Sequence, residues 1–187
     1  FLADQPGSVF DNEIKLYHSP DKSFTLLSYL WDSRELCAVH DHSAWGLIGP
    51  LLHPLREVKY RRLDDGQLEG YAHLEQISDL FMQPGEVGMV LPLDKGIHLT
   101  GAADDRFTLS LGVYGTSIRK GYIHFFDTAG KKVTRANTRL PFRKVLALRA
   151  LASVEKVVGK RYATPALLQS LPDDLTREYR KNISSSP

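Results

Sequence analysis

The stretch Ala38–Pro50, AVHDHSAWGLIGP, carries the most informative pattern in this chain. In an extended strand successive side chains alternate between two faces, so His40 and His42 point the same way while Asp41 points to the other side. Two imidazoles side by side on one strand supply two ligands of a metal site, and imidazole suits iron, zinc, copper and nickel alike. The alternative is a pair of histidines that face solvent. The Trp45 and the Gly/Pro turn signals that follow favour the metal site.

Short strand patterns follow one another along the first 135 residues, separated by turn signals rich in glycine, proline and aspartate. The clearest are FTLLSYLW at Phe24–Trp31, FTLSLGVY at Phe107–Tyr114 and YIHFF at Tyr122–Phe126. A further strand at Tyr71–Ile77 is predicted to return from the turn Asp64–Gly66. About nine such candidates are enough for the eight strands of a jelly roll, so the sequence predicts an all-β sandwich or barrel.

After Arg135 the pattern becomes helical. Apolar residues recur at helical spacing over Phe142–Val158, and Thr164 followed by proline predicts the N-cap of a second helix. The sequence therefore predicts a barrel over residues 1–135 and a helical appendage over residues 136–187. This appendage is expected to pack against the barrel or against a partner in a dimer.

The composition excludes several classes of protein. A hydrophobic fraction of 42% and a charged fraction of 25% are typical of a soluble globular protein, and the net charge of +2 gives no sign of nucleic-acid binding. No apolar run is long enough to cross a bilayer, so no membrane partner is expected. The single cysteine, Cys37, excludes an internal disulfide and a Cys-rich zinc site, and favours a reducing, cytoplasmic setting.

The segment VHDHSAWGLIG at Val39–Gly49 resembles the first signature of the thiol dioxygenases, the cysteine dioxygenase and 3-mercaptopropionate dioxygenase branch of the cupins. Bacterial members carry an HDHxxWGxxG segment there, and the histidine pair with Trp45 and Gly46 is the most specific part of the match. The resemblance extends from about Tyr17 to Asp127. It implies a cupin-type double-stranded β-helix, a jelly-roll barrel to which this chain adds C-terminal helices.

The resemblance also implies a third metal ligand. The second signature of the cupins places a histidine after a turn rich in proline and glycine, and here the segment Pro84–His98 makes His98 the candidate. His53, His73 and His124 are the weaker alternatives, each expected to be an ordinary surface or core histidine. The cofactor implied by the resemblance is Fe(II), although the spacing of the histidines does not itself select iron over zinc or nickel.

The activity implied by the resemblance is the oxidation of a small thiol carboxylate, of the 3-mercaptopropionate or cysteine type, to its sulfinate with O2. Three neutral histidines leave a divalent cation its full charge, which favours an anionic thiolate as the next ligand. The alternative function is a cupin that binds a metal and senses or stores a small ligand without turnover. A cupin with another reaction, such as ring cleavage or isomerisation, is the third. The oligomeric state stays open.

Two residues are expected to act in catalysis. Ser110, Gly112 and Tyr114 occupy the place where the family usually carries Ser-x-His-x-Tyr, a line of hydrogen-bonded side chains that ends near the iron. Ser110 and Tyr114 match this pattern, and Gly112 departs from it. Because glycine cannot relay a proton, the line is expected to be broken unless water fills the gap.

The anchor for the substrate carboxylate also departs from the family. His18 stands at about the place of the arginine that pairs with the carboxylate in cysteine dioxygenases. A histidine carries charge only when it is protonated, so His18 is a weaker anchor, or Arg119 or Lys120 takes over this role, or the substrate differs.

Three further residues near the histidine pair complete the expectations. No cysteine follows His42, so the match is to the bacterial type without the Cys–Tyr cross-link, and Cys37 is expected to be a small buried residue on the opposite face. Trp45 is expected either to wall the substrate pocket or to fill the end of the barrel, and both interpretations bury it. Asp41 is expected to turn outward or to orient a ligand histidine.

Overall fold

The computed structural model describes residues 8–137, 144–171 and 173–184. Within these residues eleven strands precede three α-helices, and a short 3-10 helix, Leu93–Gly96, lies among the strands. The strands are Glu13–His18 (β1), Phe24–Trp31 (β2), Val39–His40 (β3), Gly46–Pro50 (β4), Leu55–Arg62 (β5), Leu74–Met82 (β6), Gly88–Val90 (β7), His98–Ala102 (β8), Thr108–Gly115 (β9), Tyr122–Asp127 (β10) and Lys132–Asn137 (β11). The helices are Lys144–Val158 (α1), Pro165–Ser170 (α2) and Asp173–Ser184 (α3).

The strands form two antiparallel sheets, ordered β1-β2-β9-β4-β7 and β11-β10-β3-β8-β5-β6. Between β2 and β9 the chain crosses repeatedly from one sheet to the other, so that β2-β9-β4-β7 and β3-β8-β5-β6 make up the two four-stranded layers of a jelly roll. The additional strand β1 extends the first layer, and β10 and β11 extend the second. The predicted all-β jelly-roll fold with C-terminal helices is confirmed.

The strand predicted at Tyr71–Ile77 is displaced in the structure. Tyr71 makes only an isolated bridge to Lys132, and the paired strand β6 begins at Leu74 and continues to Met82. The reason is the register with β5, which pairs residue 62 with residue 74 at one end and residue 55 with residue 82 at the other. Because β6 pairs along the full length of β5, it begins later than predicted, at Leu74, and extends to Met82.

The inner faces of the two sheets enclose the core and determine which side chains reach the site. Burial alternates along β9, so that Ser110, Gly112 and Tyr114 all face inward, as the period of a strand requires. On β2, Leu27, Tyr29 and Trp31 belong to the same inner core, together with Ile48 of β4 and Leu55 of β5.

Helix α1 covers the outer face of the first sheet. Its Ala150 packs with Ile14, Leu30 and Phe107 of the barrel, and Arg149 forms an ion pair with Asp32. This cover explains why β2 is apolar on both faces rather than alternating. Leu148 and Ala152 on α1 pack in turn against Leu175 and Tyr179 on α3.

The predicted elements of the C-terminal part can be compared with these helices. Thr164 caps α2 by accepting a hydrogen bond from the backbone N–H of Leu167, as predicted, and residues 142 and 143 of the first predicted helix lie outside the described residues. Strand β11 ends at Asn137, just past the predicted boundary at residue 135, and the division into two domains stays a prediction. None of the helices in the described part of the chain combines the length and the apolar character needed to cross a membrane.

Candidate metal centre

The structure brings together the three histidines that were predicted as metal ligands. His40 on β3 pairs directly with His98 at the start of β8, and His42 follows two residues after His40 on the same side. All three side chains are buried, and their candidate ligand atoms lie within 4.8 Å of one another. His53, His73 and His124, the alternatives for the third ligand, are not part of this three-histidine centre.

Hydrogen bonds to Nδ1 fix which ring nitrogen His40 and His98 present. The Nδ1 of His40 lies 2.9 Å from the carbonyl oxygen of Ala38, and the Nδ1 of His98 lies 2.8 Å from Oε1 of Glu57. A carbonyl oxygen only accepts hydrogen bonds, so Nδ1 of His40 carries the proton and Nε2 keeps its lone pair. The carboxylate of Glu57 likewise places the proton of His98 on Nδ1 and leaves the lone pair on Nε2. The Nε2 atoms of His42 and His98 are 2.7 Å apart.

Burial keeps these imidazoles neutral. It lowers the pKa of His40 to about 4 and, together with the charges of neighbouring groups, holds the pKa values of His42 and His98 well below their usual range. Neutral imidazole is the form that binds metals, so the centre is ready for a cation at neutral pH.

The space between the rings also suits an ion. An interior space of about 10 Å³, the metal chamber, is enclosed by the three histidines together with Phe10, Tyr29, Trp31, Ile48, Thr100 and Tyr114. This is about the volume that one water-sized sphere needs. The donor set of three nitrogens without a carboxylate fits a first-row divalent metal, and imidazole does not choose among iron, zinc, copper and nickel.

Glu57 is a functional residue that the sequence analysis missed. It is fully buried on β5, and strand β8 separates β5 from β3 in the sheet. Its Oε1 accepts the hydrogen bond from Nδ1 of His98. Its second oxygen lies 3.4 Å from Nζ of Lys59. A carboxylate behind a ligand histidine fixes the orientation of the ring and raises its basicity. The signal in the sequence was a glutamate sharing a strand face with Leu55, an apolar core position.

Asp41 takes neither of its two predicted roles. The side chain is fully buried rather than outward, and it bonds Arg119 and His124 rather than a ligand histidine. Its carboxylate accepts from the guanidinium of Arg119 and, at 2.7 Å, from the backbone N–H of His124. Strand β10 pairs with β3, and this pairing brings His124 beside Asp41.

Arg119 is correspondingly engaged by the protein. Besides its contact with Asp41, its Nε donates to the carbonyl oxygen of Tyr122 at 3.2 Å, and its guanidinium lies over the Tyr122 ring. These contacts occupy part of the guanidinium, and the role of Arg119 as the anchor of a substrate carboxylate stays a prediction.

Tyr114 lies directly against the three-histidine centre. Its ring stacks on His42 with ring centroids 5.4 Å apart and an angle of 16° between the planes. A Cβ atom at Gly112 would lie 2.5 Å from Cε2 of Tyr114, and one at Gly46 would lie 2.5 Å from Cε1. The tyrosine ring therefore folds back over its own strand and fills the volume that a side chain at residue 112 would occupy. The expected gap at residue 112 is filled by Tyr114 itself.

Ser110 faces inward, but its hydroxyl has a structural partner. Its Oγ accepts a hydrogen bond of 2.9 Å from Nε1 of Trp31 on the neighbouring strand β2, and both residues are buried. This bond satisfies the indole N–H in the core, so the structure gives Ser110 a packing role whether or not it also acts in catalysis.

Two of the residues predicted to bind substrate lie elsewhere. Trp45 is 45% exposed, contrary to both interpretations of it, because it shares the outward parity of Leu47 while Gly46 and Ile48 face the core. His18 is exposed on β1, where its Nδ1 lies 2.8 Å from the hydroxyl of Thr25. Neither residue lines the metal chamber or the cavity beside it.

Cys37 lies nearer the centre than was predicted. Its sulfur is 3.6 Å from Nδ1 of His40 and accepts a hydrogen bond from the backbone N–H of Thr100 at 3.2 Å. Regular strand structure begins only at Val39, so strand parity does not extend back to residue 37. Burial raises the pKa of the thiol to about 11, which makes it unreactive at neutral pH.

A larger cavity adjoins the metal chamber. This outer cavity has a volume of about 370 Å³ and shares Phe10, Tyr29, His42 and Tyr114 with the chamber. Its charged lining residues are three cationic and one acidic side chain: Lys15, Arg119, Lys120 and Glu13. A small molecule in the outer cavity would therefore contact both Tyr114 and one of the ligand histidines.

No protein-family model matches the chain. Among solved structures, it resembles a cupin-like protein from Thermotoga maritima at 12% identity, with a TM-score of 0.44 over 64% of this chain and 83% of that one. It resembles an acetylacetone dioxygenase from Acinetobacter johnsonii at 13% identity, with a TM-score of 0.41 over 67% of this chain and 70% of that one. A cupin superfamily protein from Desulfitobacterium hafniense matches at 17% identity, with a TM-score of 0.38 over 56% of this chain and 76% of that one.

These similarities are too distant to transfer an activity or a family to this chain. The fold is established by its own strand order, and the chemistry by its own side chains. The chain forms an antiparallel jelly roll with a buried three-histidine centre that could hold a metal ion.

Proposed function

We propose that this protein is a mononuclear iron dioxygenase that oxidises a small thiol carboxylate to its sulfinate. In the overall reaction one thiol and one O2 give one sulfinic acid, with both oxygen atoms transferred to sulfur. The observation that carries the proposal is the convergence of three neutral imidazoles, without a carboxylate, beside a cavity that Tyr114 lines. The HDHSAWG segment, which resembles that of the thiol dioxygenases, supports the same reaction.

The charge of the site favours an anionic sulfur ligand. Ferrous iron bound by His40, His42 and His98 would supply the redox chemistry, and the neutral ligands would leave its charge uncompensated for a thiolate. Asp41 compensates the charge of Arg119. The remaining charged lining residues, Lys15 and Lys120 against Glu13, still leave a net positive charge, which favours a substrate that also carries a carboxylate.

The remaining residues would hold the substrate and exclude water. Phe10, Trp31 and Ile48 give the metal chamber apolar walls, which limit the access of water to the reacting sulfur. Tyr114 lines both the chamber and the outer cavity, which supports a contact between its hydroxyl and a bound thiol acid.

The proposal is tested by oxygen uptake. Protein purified without added metal is analysed for metal content, loaded anaerobically with Fe²⁺, and supplied with 3-mercaptopropionate, cysteine, cysteamine or mercaptosuccinate. We expect sulfinate, identified by mass spectrometry, in an amount that matches the oxygen consumed. A His40→Ala variant should be inactive, and a matched His73→Ala variant, outside the three-histidine centre, should retain activity.

Two outcomes would overturn the proposal. Oxygen uptake no greater than that of His40→Ala with every thiol would exclude a thiol dioxygenase. Tight binding of a thiol acid to the metal-loaded protein without sulfinate would select the alternative function, a cupin that binds a small ligand without turnover.

A further inference from the structure

The hydroxyl of Tyr114 lacks the support that the family pattern would give it on its own strand. Gly112 has no side chain, and the Oγ of Ser110 is bonded to Nε1 of Trp31. Stacking on His42 fixes the plane of the Tyr114 ring, but it does not fix the direction of the O–H bond.

The neighbouring strand supplies a partner. Strand β2 pairs with β9 so that Leu27 lies opposite Gly112 and Tyr29 lies opposite Ser110. Because the Tyr114 ring folds back over Gly112, it approaches Tyr29, and the two rings meet edge to face with centroids 6.4 Å apart at 80°. Tyr29 and Tyr114 line the outer cavity together with Glu13.

Tyr29 is itself held firmly. Only 6% of it is exposed, its ring stacks with Trp31 at a centroid distance of 5.9 Å, and Phe10 packs against it edge-on at 6.3 Å. Glu13 is its direct partner across the β1–β2 pair. Glu13, Tyr29 and Tyr114 thus form a polar line across three adjacent strands, from β1 to the metal chamber.

We propose that Tyr29, which lies beside Glu13, is a positioning residue: a hydrogen bond between its hydroxyl and that of Tyr114 would set the direction of the Tyr114 O–H at the metal chamber. Tyr29 lines both the chamber and the outer cavity, so it lies where the orientation of that hydroxyl matters. In this site the cross-strand line replaces the relay along one strand that Gly112 removes. The inference rests on the proposed function for the identity of the ligand, a thiol acid.

The first test needs neither metal nor turnover. Tyr29→Phe keeps the ring and removes the hydroxyl, and Tyr114→Phe does the same on the partner. In urea unfolding of these variants and the double variant, the hydrogen bond predicts a coupling of about fivefold in the unfolding equilibrium constant. Additive effects of the two substitutions would overturn the proposal.

The second test reports on the site. The protein is loaded with Co²⁺ and titrated with 3-mercaptopropionate, and the thiolate-to-cobalt absorption band is recorded. Tyr29→Phe should shift this band as Tyr114→Phe does, with no further shift in the double variant. Glu13→Leu should reproduce the effect, and Glu13→Gln, which keeps a hydrogen-bonding side chain, should restore most of the wild-type band. Tyr17→Phe, on exposed β1 surface, is the matched control.

Kinetics complete the test with the iron-loaded protein. We expect Tyr29→Phe to lower kcat about tenfold, because one hydrogen bond is lost, and to leave KM little changed. A wild-type band and a wild-type kcat in Tyr29→Phe would overturn the proposal. If the wild type oxidises no thiol, the proposed function fails, while the unfolding cycle and the cobalt band still decide the role of Tyr29.

Discussion

Removing the carboxylate of Glu57 should weaken metal binding while leaving the fold in place. The residue has no contact with the metal chamber itself and acts through one hydrogen bond of 2.8 Å to Nδ1 of His98. Without that acceptor the His98 ring can rotate and change tautomer, and its Nε2 no longer points consistently at the ion. The bond is buried at both ends, so bulk water does not compete with it in the wild type.

The expected magnitude follows from the geometry. Loss of a group that orients a ligand typically reduces metal affinity ~10–100-fold, or about 1.4–2.7 kcal/mol. Glu57→Ala removes both the acceptor and the negative charge behind the ring, so its effect should lie near the upper end. Glu57→Gln keeps an amide oxygen that can accept from Nδ1 and loses only the charge, so we expect about tenfold.

The assay is competition for Co²⁺ between the protein and a chromophoric chelator at neutral pH. Glu75→Gln is the matched control, because Glu75 is an exposed glutamate on the next strand, paired only with Arg61 in an ion pair at the surface. Urea unfolding of the metal-free variants verifies that the fold is retained. Wild-type affinity in Glu57→Ala, or an equal loss in Glu75→Gln, would refute this account of the site.

Three further predictions concern stability. Gly112→Ala places a Cβ 2.5 Å from the Tyr114 ring and should destabilise the protein by about 1–3 kcal/mol in urea unfolding; unchanged stability would contradict the packing described. Arg119→Ala leaves the carboxylate of Asp41 buried without its cation and should cost about 3–5 kcal/mol, part of which Asp41→Asn in the double variant should recover. Because the pKa of His40 is about 4 in the folded protein and ~6.5 in the unfolded chain, the unfolded chain binds more protons between these values, and the metal-free protein should lose stability as the pH falls from about 6.5 to 4. His40→Asn should flatten this decline, and a slope equal to that of the wild type would show that His40 is not its source.

The sequence predicts features that depend on local order along one strand. The alternation of side chains is sufficient to place His40 and His42 on one face, and Ser110 and Tyr114 on one inner face. The same alternation identifies the short strands, and their succession along the chain predicts the jelly roll. Trp45 shows the limit of such reasoning, because its size suggested burial while its parity, which it shares with exposed Leu47, placed it outside.

The missed features depend on the register between strands. Glu57 reaches His98 because β5 lies beside β8, and Glu13 reaches Tyr29 because β1 lies beside β2. Sequence periodicity gives the face of each residue, as it does for Glu57 beside Leu55, but not its neighbour across the sheet, so the contacts themselves could not be predicted. The rotamer of Tyr114 is a similar case, since a glycine in the pattern indicates a missing side chain but not which neighbour fills its place.

The side chains of the tripeptide His40–Asp41–His42 point to opposite sides of the backbone. Its histidines point into the metal chamber, and the aspartate between them holds Arg119, which lines the outer cavity. The entrance of the site and its ligands are thus attached to the same three residues of backbone. A molecule that displaced Arg119 from the cavity wall would therefore act on the backbone segment that carries two of the three candidate metal ligands.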